Sequence, residues 1–178
     1  SLHLAELMKD SGEIIAIDVD RKRLEELQSR ARRAGIQAIH TQLREDLLPE
    51  NLAAKADLVL VDAPCSGSGT IRRNPGMKWG ITESLVSHFA EKQREILSFA
   101  AQFVKLGGKL LYVTCSLFRQ ENENIVDFFL ANHTNFERIA DDESVPDYDI
   151  KIHDGIIKLF PHVHTTDGFF VAVMKRLK

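Results

Sequence analysis

Asp57-Leu58-Val59-Leu60-Val61-Asp62-Ala63-Pro64-Cys65-Ser66-Gly67-Ser68-Gly69-Thr70 begins as an almost wholly apolar run and ends in small residues around a cysteine. A short apolar run of this kind reads as a strand covered on both faces, as in a parallel sheet. A second stretch, Lys109-Leu110-Leu111-Tyr112-Val113-Thr114-Cys115-Ser116, repeats the arrangement. Cys65 and Cys115 are the only two cysteines of the chain. In open α/β sheets ligands bind outside the carboxyl ends of the strands. Consecutive strands usually neighbour one another at about 4.8 Å. The two thiols are therefore predicted to face one cleft.

The elements around these stretches follow a strand–helix alternation. Ser1 to Met8 reads as an amphipathic helix closed by Lys9-Asp10-Ser11-Gly12. Glu13 to Val19 is a short strand. Asp20 can cap a helix carrying Leu24, Leu27, Ala31 and Ala34, which Gly35 stops. Ile36 to Thr41 is the next strand. After Asp57 to Asp62 comes a long loop, Ala63 to Ile81. Thr82 then caps a helix carrying Leu85, Phe89, Ile96, Leu97, Ala100 and Phe103, with Gly107-Gly108 as its end. Glu121 to Asn132 is a helix whose inner side is Ile125, Phe128 and Phe129. Phe136 to Ala140 and Gly155 to Phe160 are weaker strands, Phe169 to Met174 a stronger one, and Asp141 to Asp149 an acidic surface loop. This alternation implies βαβ units and a mostly parallel α/β sheet with helices on both faces.

The 178 residues suit one domain, and 44% apolar with 28% charged is ordinary for a globular chain. A net charge of −3 argues against bulk nucleic-acid binding but leaves room for a local basic patch. Two cysteines make no disulfide framework, so a reducing cytoplasm is the simplest compartment.

Single residues carry open readings. Asp18, at a strand end, is either a ribose-binding acid or a turn residue. Arg23 is a solvated helix residue or its partner. The Ser66 to Thr70 loop lets a backbone approach a ligand closely. It lacks the Lys-Ser/Thr pair of a phosphate loop, and no hydrolase elbow fits around Ser66 or Ser68. Arg72, Arg73 and Lys78 with Trp79 suit phosphate contact and base stacking, although a lone Trp can equally plug a core. His162 and His164 lack a third metal ligand at suitable spacing, so no metal is expected. A thiol hydrolase would need His88 or His164 beside a cysteine.

Taken together these residues resemble the RNA cytosine-5 methyltransferases of the Nop2/Sun (RsmB-like) family. The resemblance runs through nearly the whole chain. It rests on Asp62 to Thr70, Arg72 to Pro75 with Lys78-Trp79, Gln93 to Leu97, Tyr112 to Ser116, Glu121-Asn122 and Asp167 to Phe170. Amino-group methyltransferases of related fold have an aromatic residue where Cys65 stands, which favours carbon methylation here. The resemblance implies a Rossmann-like fold, S-adenosylmethionine as methyl donor, and RNA as partner, with ribosomal RNA favoured and tRNA the alternative. It also implies roles: Cys115 as nucleophile, Cys65 in product release, Asp62 at the cytosine ring and near the cofactor, and Asp18 on the ribose. A protonated Asp62 in a desolvated site would stabilise the base adduct. For adenosine, strict spacing gives Arg44, and Glu45 or Asp46 can substitute, with Asp46 favoured. Relative to the family, the chain lacks the Gly-rich cofactor loop and the first, central strand. Residues 1–178 are thus expected to be an N-terminally incomplete catalytic domain. A non-catalytic cofactor- or RNA-binding module of the same fold is the competing reading.

Overall fold

The computed structural model describes residues 1–139 and 152–178. The acidic stretch from Asp141 to Asp149 lies outside the described residues. The chain divides into two compact units, Ser1–Asn51 and Leu52–Lys178.

The first unit contains α1 (Leu2–Leu7), β1 (Ile14–Asp18), α2 (Arg21–Arg33), β2 (Ile39–Leu43) and a 3-10 turn at Arg44–Asp46, while α3 (Pro49–Leu52) runs across the boundary. The Asp20 carboxylate accepts from the Lys22 N–H at 2.9 Å and starts α2. Gly35 ends it with φ at +71°, a conformation that only glycine adopts without strain. β1 and β2 pair in parallel from Ile14–Ile39 to Asp18–Leu43. β2 starts three residues later than its sequence implies. The Asp10 carboxylate takes the N–H groups of Gln37 (3.0 Å) and Ala38 (2.8 Å), so that stretch spends its donors on a side chain. Those same bonds hold the Asp10 carboxyl below its ordinary pKa. Ala5, Ala31 and Ile39 form the core of this unit.

The second unit contains β3 (Ala56–Asp62), 3-10 turns at Ser68–Thr70 and Pro75–Trp79, α4 (Glu83–Ala101), β4 (Val104–Thr114) and a 3-10 turn at Arg119–Glu121. It continues with α5 (Glu123–Asn132), β5 (Phe136–Arg138), β6 (Ile152–His153), β7 (Ile156–Leu159), α6 (Pro161–His164) and β8 (Phe169–Arg176). The sheet order is β3-β4-β8-β7-β6, with β5 also on β8. β3 and β4 are parallel. β8 runs antiparallel to β4, β5 and β7, so the sheet is mixed. Among the described residues β1 pairs only with β2 and β3 only with β4, in two separate sheets.

Three local expectations are corrected. The helix capped by Thr82, whose hydroxyl accepts from the Leu85 N–H, ends at Ala101 and not at Gly107. Phe103 and Val104 continue its apolar spacing, yet they are buried at the start of β4. The chain then bulges before Lys109 pairs with Leu58, and Gly107 at φ +75° permits that excursion. Phe128 is 43% exposed beneath the Arg94 guanidinium, and Val126 is buried in its stead. Leu58 and Leu60 are exposed, so β3 is covered on one face rather than both. Val61, Leu110, Tyr112, Phe129, Phe170 and Met174 make the main core. Fully burying a side chain of this size stabilises the fold by about 1.5–3 kcal/mol. No helix among the described residues is long and apolar enough to cross a membrane.

Backbone contacts stitch the cysteine loops together. The Gly69 N–H donates to the Cys115 carbonyl at 2.8 Å, and the Gly168 N–H donates to the Gly69 carbonyl at 2.9 Å. A Cβ on Gly69 would lie 2.3 Å from the Gly168 oxygen and 2.8 Å from that of Cys115. Gly69→Ala is expected to cost about 1–3 kcal/mol as overpacking. Thermal unfolding of the intact protein should show it as a drop of several degrees, and an unchanged midpoint would refute this close approach.

Candidate active site

The parallel register pairs Asp62 with Val113, which brings the two strand ends level. Cys65 lies just beyond one end and Cys115 directly follows the other. Their sulfurs are 3.3 Å apart and both residues are half-buried free thiols. The predicted common position of the two thiols is therefore present.

Each cysteine is held on both sides by side chains from α4 and the turn before α5. For Cys65, Gln93 Nε2 donates to the Pro64 carbonyl at 2.8 Å, and the Ser66 N–H donates to Glu121 Oε1 at 2.7 Å. For Cys115, Thr114 Oγ1 donates to Asn122 Oδ1 at 2.6 Å, and Asn122 Nδ2 donates to the Ser116 carbonyl at 2.9 Å. The hydroxyls of Ser66 and Ser116 both donate to Glu121 Oε2 at 2.5 Å. Ser68 Oγ accepts from the Leu117 N–H at 2.8 Å. Glu121 is fully buried, and Tyr112 fixes its backbone by donating to its carbonyl at 2.7 Å. A buried carboxylate is tolerable only when donors satisfy it in this way.

These polar residues had no role in the sequence reading, although Gln93 and Glu121-Asn122 stand in its matching segments. One signal was available. Gln93 lies on the buried stripe Val86, Ala90, Gln93, Leu97 and Ala100 of α4, where a polar side chain needs a buried partner.

The two thiols differ electrostatically. A hydrogen bond from Cys65 lowers the Cys115 pKa to about 7, against burial and the negative charges of Asp62 and Glu121, which raise it. The same hydrogen bond, with burial, pushes Cys65 far above the ordinary thiol range. Of the two thiols Cys115 is therefore the more readily ionised, with Cys65 as its S–H donor once it ionises. A thiolate is the nucleophilic form of cysteine.

The other candidates separate. Asp62 closes β3 with its side chain exposed, so the expected desolvated carboxyl is not what this structure has. Asp18 Oδ1 accepts from the Asp20 N–H at 2.8 Å, and Oδ2 lies 3.8 Å from Arg23, the partner its sequence allowed. Asp46 is exposed, 3.9 Å from Arg21. Arg72 donates to the Thr165 carbonyl at 3.1 Å, and Arg73 pairs with the half-buried Asp167, so both arginines tie the loop to the segment 165–168. Trp79 is 82% exposed with Lys78 over its ring at 4.7 Å, so it does not plug the core. Met77 lies against Gly67 and Thr70 of the Cys65 loop. His164 Nδ1 accepts from the Phe160 N–H, and the groups acting on the two thiols include no histidine. No metal-binding cluster occurs among the described residues.

The family described as 16S rRNA methyltransferase RsmB/F matches residues 1–175. The chain is 35% identical to the probable ribosomal RNA small subunit methyltransferase B of Bacillus subtilis, covering 99% of this chain and 40% of the relative. It is 32% identical to the tRNA (cytosine(72)-C(5))-methyltransferase of Pyrococcus horikoshii, over 99% and 44% of the respective lengths. The crystal structure of NSun6 from Pyrococcus horikoshii with SFG is similar at a TM-score of 0.79 and 27% identity, over 99% and 44% of the two chains. The chain thus spans less than half the length of these relatives.

The sulfur pair makes a measurable prediction. Alkylation of Cys115 by iodoacetamide should rise with pH around a midpoint near 7. In Cys65→Ala the midpoint should move upward toward the ordinary thiol value of about 8.5. An unmoved midpoint would show that Cys65 does not stabilise the thiolate.

Proposed function

The chain belongs to the 16S rRNA methyltransferase RsmB/F family, and from that premise we propose that residues 1–178 form part of the catalytic domain of an RNA cytosine-5 methyltransferase. The reading is carried by one observation: a thiolate-prone Cys115 and an S–H-donating Cys65, 3.3 Å apart beyond adjacent parallel strand ends. The cytosine-C(5) specificity in the name of the Pyrococcus relative supports the same chemistry.

The residues present fit S-adenosylmethionine as methyl donor. Asp18 stands at the carboxyl end of β1 as an acceptor-only group, the chemistry a ribose diol requires. Asp46 offers a further exposed carboxylate within the same unit as Asp18. When bound, that cofactor supplies an electrophilic methyl group.

Carbon 5 of cytosine is a poor nucleophile unaided. Cys115 thiolate adds to C6, forming an S–C bond and turning C5 into an enamine carbon that can take the methyl group. Asp62 in its acid form gives a proton to N3 as the thiolate adds, so the adduct is neutral, and takes that proton back when the S–C6 bond breaks. The exposed carboxyl of this structure must lose water as the base comes in. Loss of the C5 proton to a base then lets the S–C6 bond break, and Cys115 leaves as thiolate. Cys65 assists that release from hydrogen-bond distance. Arg72 and Arg73 fix the loop, and Lys78 with the exposed Trp79 contacts the RNA backbone and bases near the target.

Ribosomal RNA is the favoured substrate, following the family and the Bacillus relative. tRNA is the second reading, on the name of the Pyrococcus relative. With intact protein, RNA and labelled methyl donor, Cys115→Ala should abolish methyl transfer to below detection. Cys65→Ala should accumulate a covalent RNA complex on a denaturing gel. Full activity in Cys115→Ala would overturn the mechanism.

A further inference from the structure

We infer that Glu121 is the positioning residue of the two-cysteine site. Its carboxylate ties together the residues that follow Cys65 and Cys115, and so holds the two sulfurs in contact. The claim rests on the proposed function only in its activity readout.

The geometry is specific. Oε1 accepts the Ser66 N–H at 2.7 Å and is 3.3 Å from Gln93 Nε2. Oε2 accepts the hydroxyls of Ser66 and Ser116 at 2.5 Å each. Ser66 belongs to the loop after β3 and Ser116 to the turn after β4. One side chain therefore bridges the two segments that present the thiols. Its own backbone is anchored by the 3-10 turn, through its N–H to the Phe118 carbonyl at 3.1 Å, and by Tyr112. A fully buried carboxylate with four converging donors is far more apparatus than loop closure needs. Gln93 adds the reach of α4 by donating to the Pro64 carbonyl beside Cys65.

Two effects of Glu121 on Cys115 oppose one another, and this separates positioning from simple charge. The negative charge of Glu121 raises the Cys115 pKa, as does that of Asp62. The Cys65 hydrogen bond, which the bridge maintains, lowers it and is the larger influence. The titratable groups facing the pair are Asp62 at the end of β3, Tyr112 on β4 and Glu121 itself. Removing only a charge would move the Cys115 midpoint down. Loosening the bridge moves it up.

The test uses the intact protein with Glu121→Gln and Ser116→Ala, each verified as folded by circular dichroism and thermal unfolding. An amide has one acceptor oxygen, so Glu121→Gln cannot receive all four donors. The rate at which diamide joins Cys65 to Cys115 should fall by about tenfold, since a disulfide needs the sulfurs held close and oriented. The alkylation midpoint of Cys115 should rise above the wild-type value. If RNA methylation is measurable, kcat should fall while the KM for RNA stays unchanged. A folded Glu121→Gln with wild-type disulfide rate, or with a midpoint unchanged or lowered, overturns the inference. Ser116→Ala keeps the carboxylate and removes one arm of the bridge, so it decides the matter should Glu121→Gln not fold. It should shift both thiol readouts in the same directions, and wild-type values would overturn the inference. Absence of methylation in the wild type would count against the proposed function alone, because the thiol readouts need no RNA.

Discussion

The parallel pairing of β3 with β4 is the constraint on which the site depends. It sets Asp62 beside Val113 and brings two loop starts to the same edge of the sheet. Parallel strands need a crossover, and α4 supplies it while covering β3 and β4. The chemistry then follows from what each strand carries past its end. Had the two strands been separated in the sheet, the same cysteines would be ordinary half-buried thiols.

Pairing alone leaves loops, and loops drift. Here the polar groups that a loop would offer to water are turned inward onto Glu121, Gln93 and Asn122. The buried side chains hold the backbone on both sides of Cys65 and after Cys115, and the Thr114 hydroxyl before it. The backbone bonds from Gly69 to Cys115 and from Gly168 to Gly69 close the arrangement from the far side. An apolar plug could fill this space, but it would leave the Ser66 N–H without an acceptor at a cost of about 1–3 kcal/mol. The network thus converts a strand register into a sulfur–sulfur contact, across which the Cys65 hydrogen bond lowers the Cys115 pKa.

Most of the element order was legible because it rests on local signals: apolar runs for β3, β4 and β8, caps at Asp20 and Thr82, and Gly35 as a stop. The neighbouring position of Cys65 and Cys115 was legible for the same reason, since adjacent strands follow from one connecting helix. What was not legible depends on groups far apart in sequence. Asp10 delays β2 by taking two N–H groups that lie more than twenty residues on. Phe103 continues a helical spacing but is claimed by the core as strand. Phe128 fits the inner face of α5 by periodicity, yet Arg94 of α4 covers it at the surface. Glu121 stood in the sequence only as the first residue of a helix, and the folded chain reveals four donors converging on it. The arginines of the Cys65 loop read as free for phosphate, whereas Arg73 pairs with Asp167.

The central claim is that Cys115, held beside Cys65, is the attacking sulfur. RNA carrying 5-fluorocytidine in place of cytidine tests it most directly, because fluorine cannot leave C5 as a cation and the adduct cannot resolve. After reaction with intact protein and S-adenosylmethionine, protease and nuclease digestion and mass spectrometry would locate the bound nucleotide. The account predicts the nucleotide on the peptide containing Cys115. A nucleotide on the Cys65 peptide, or no adduct from a preparation that methylates ordinary RNA, would contradict it.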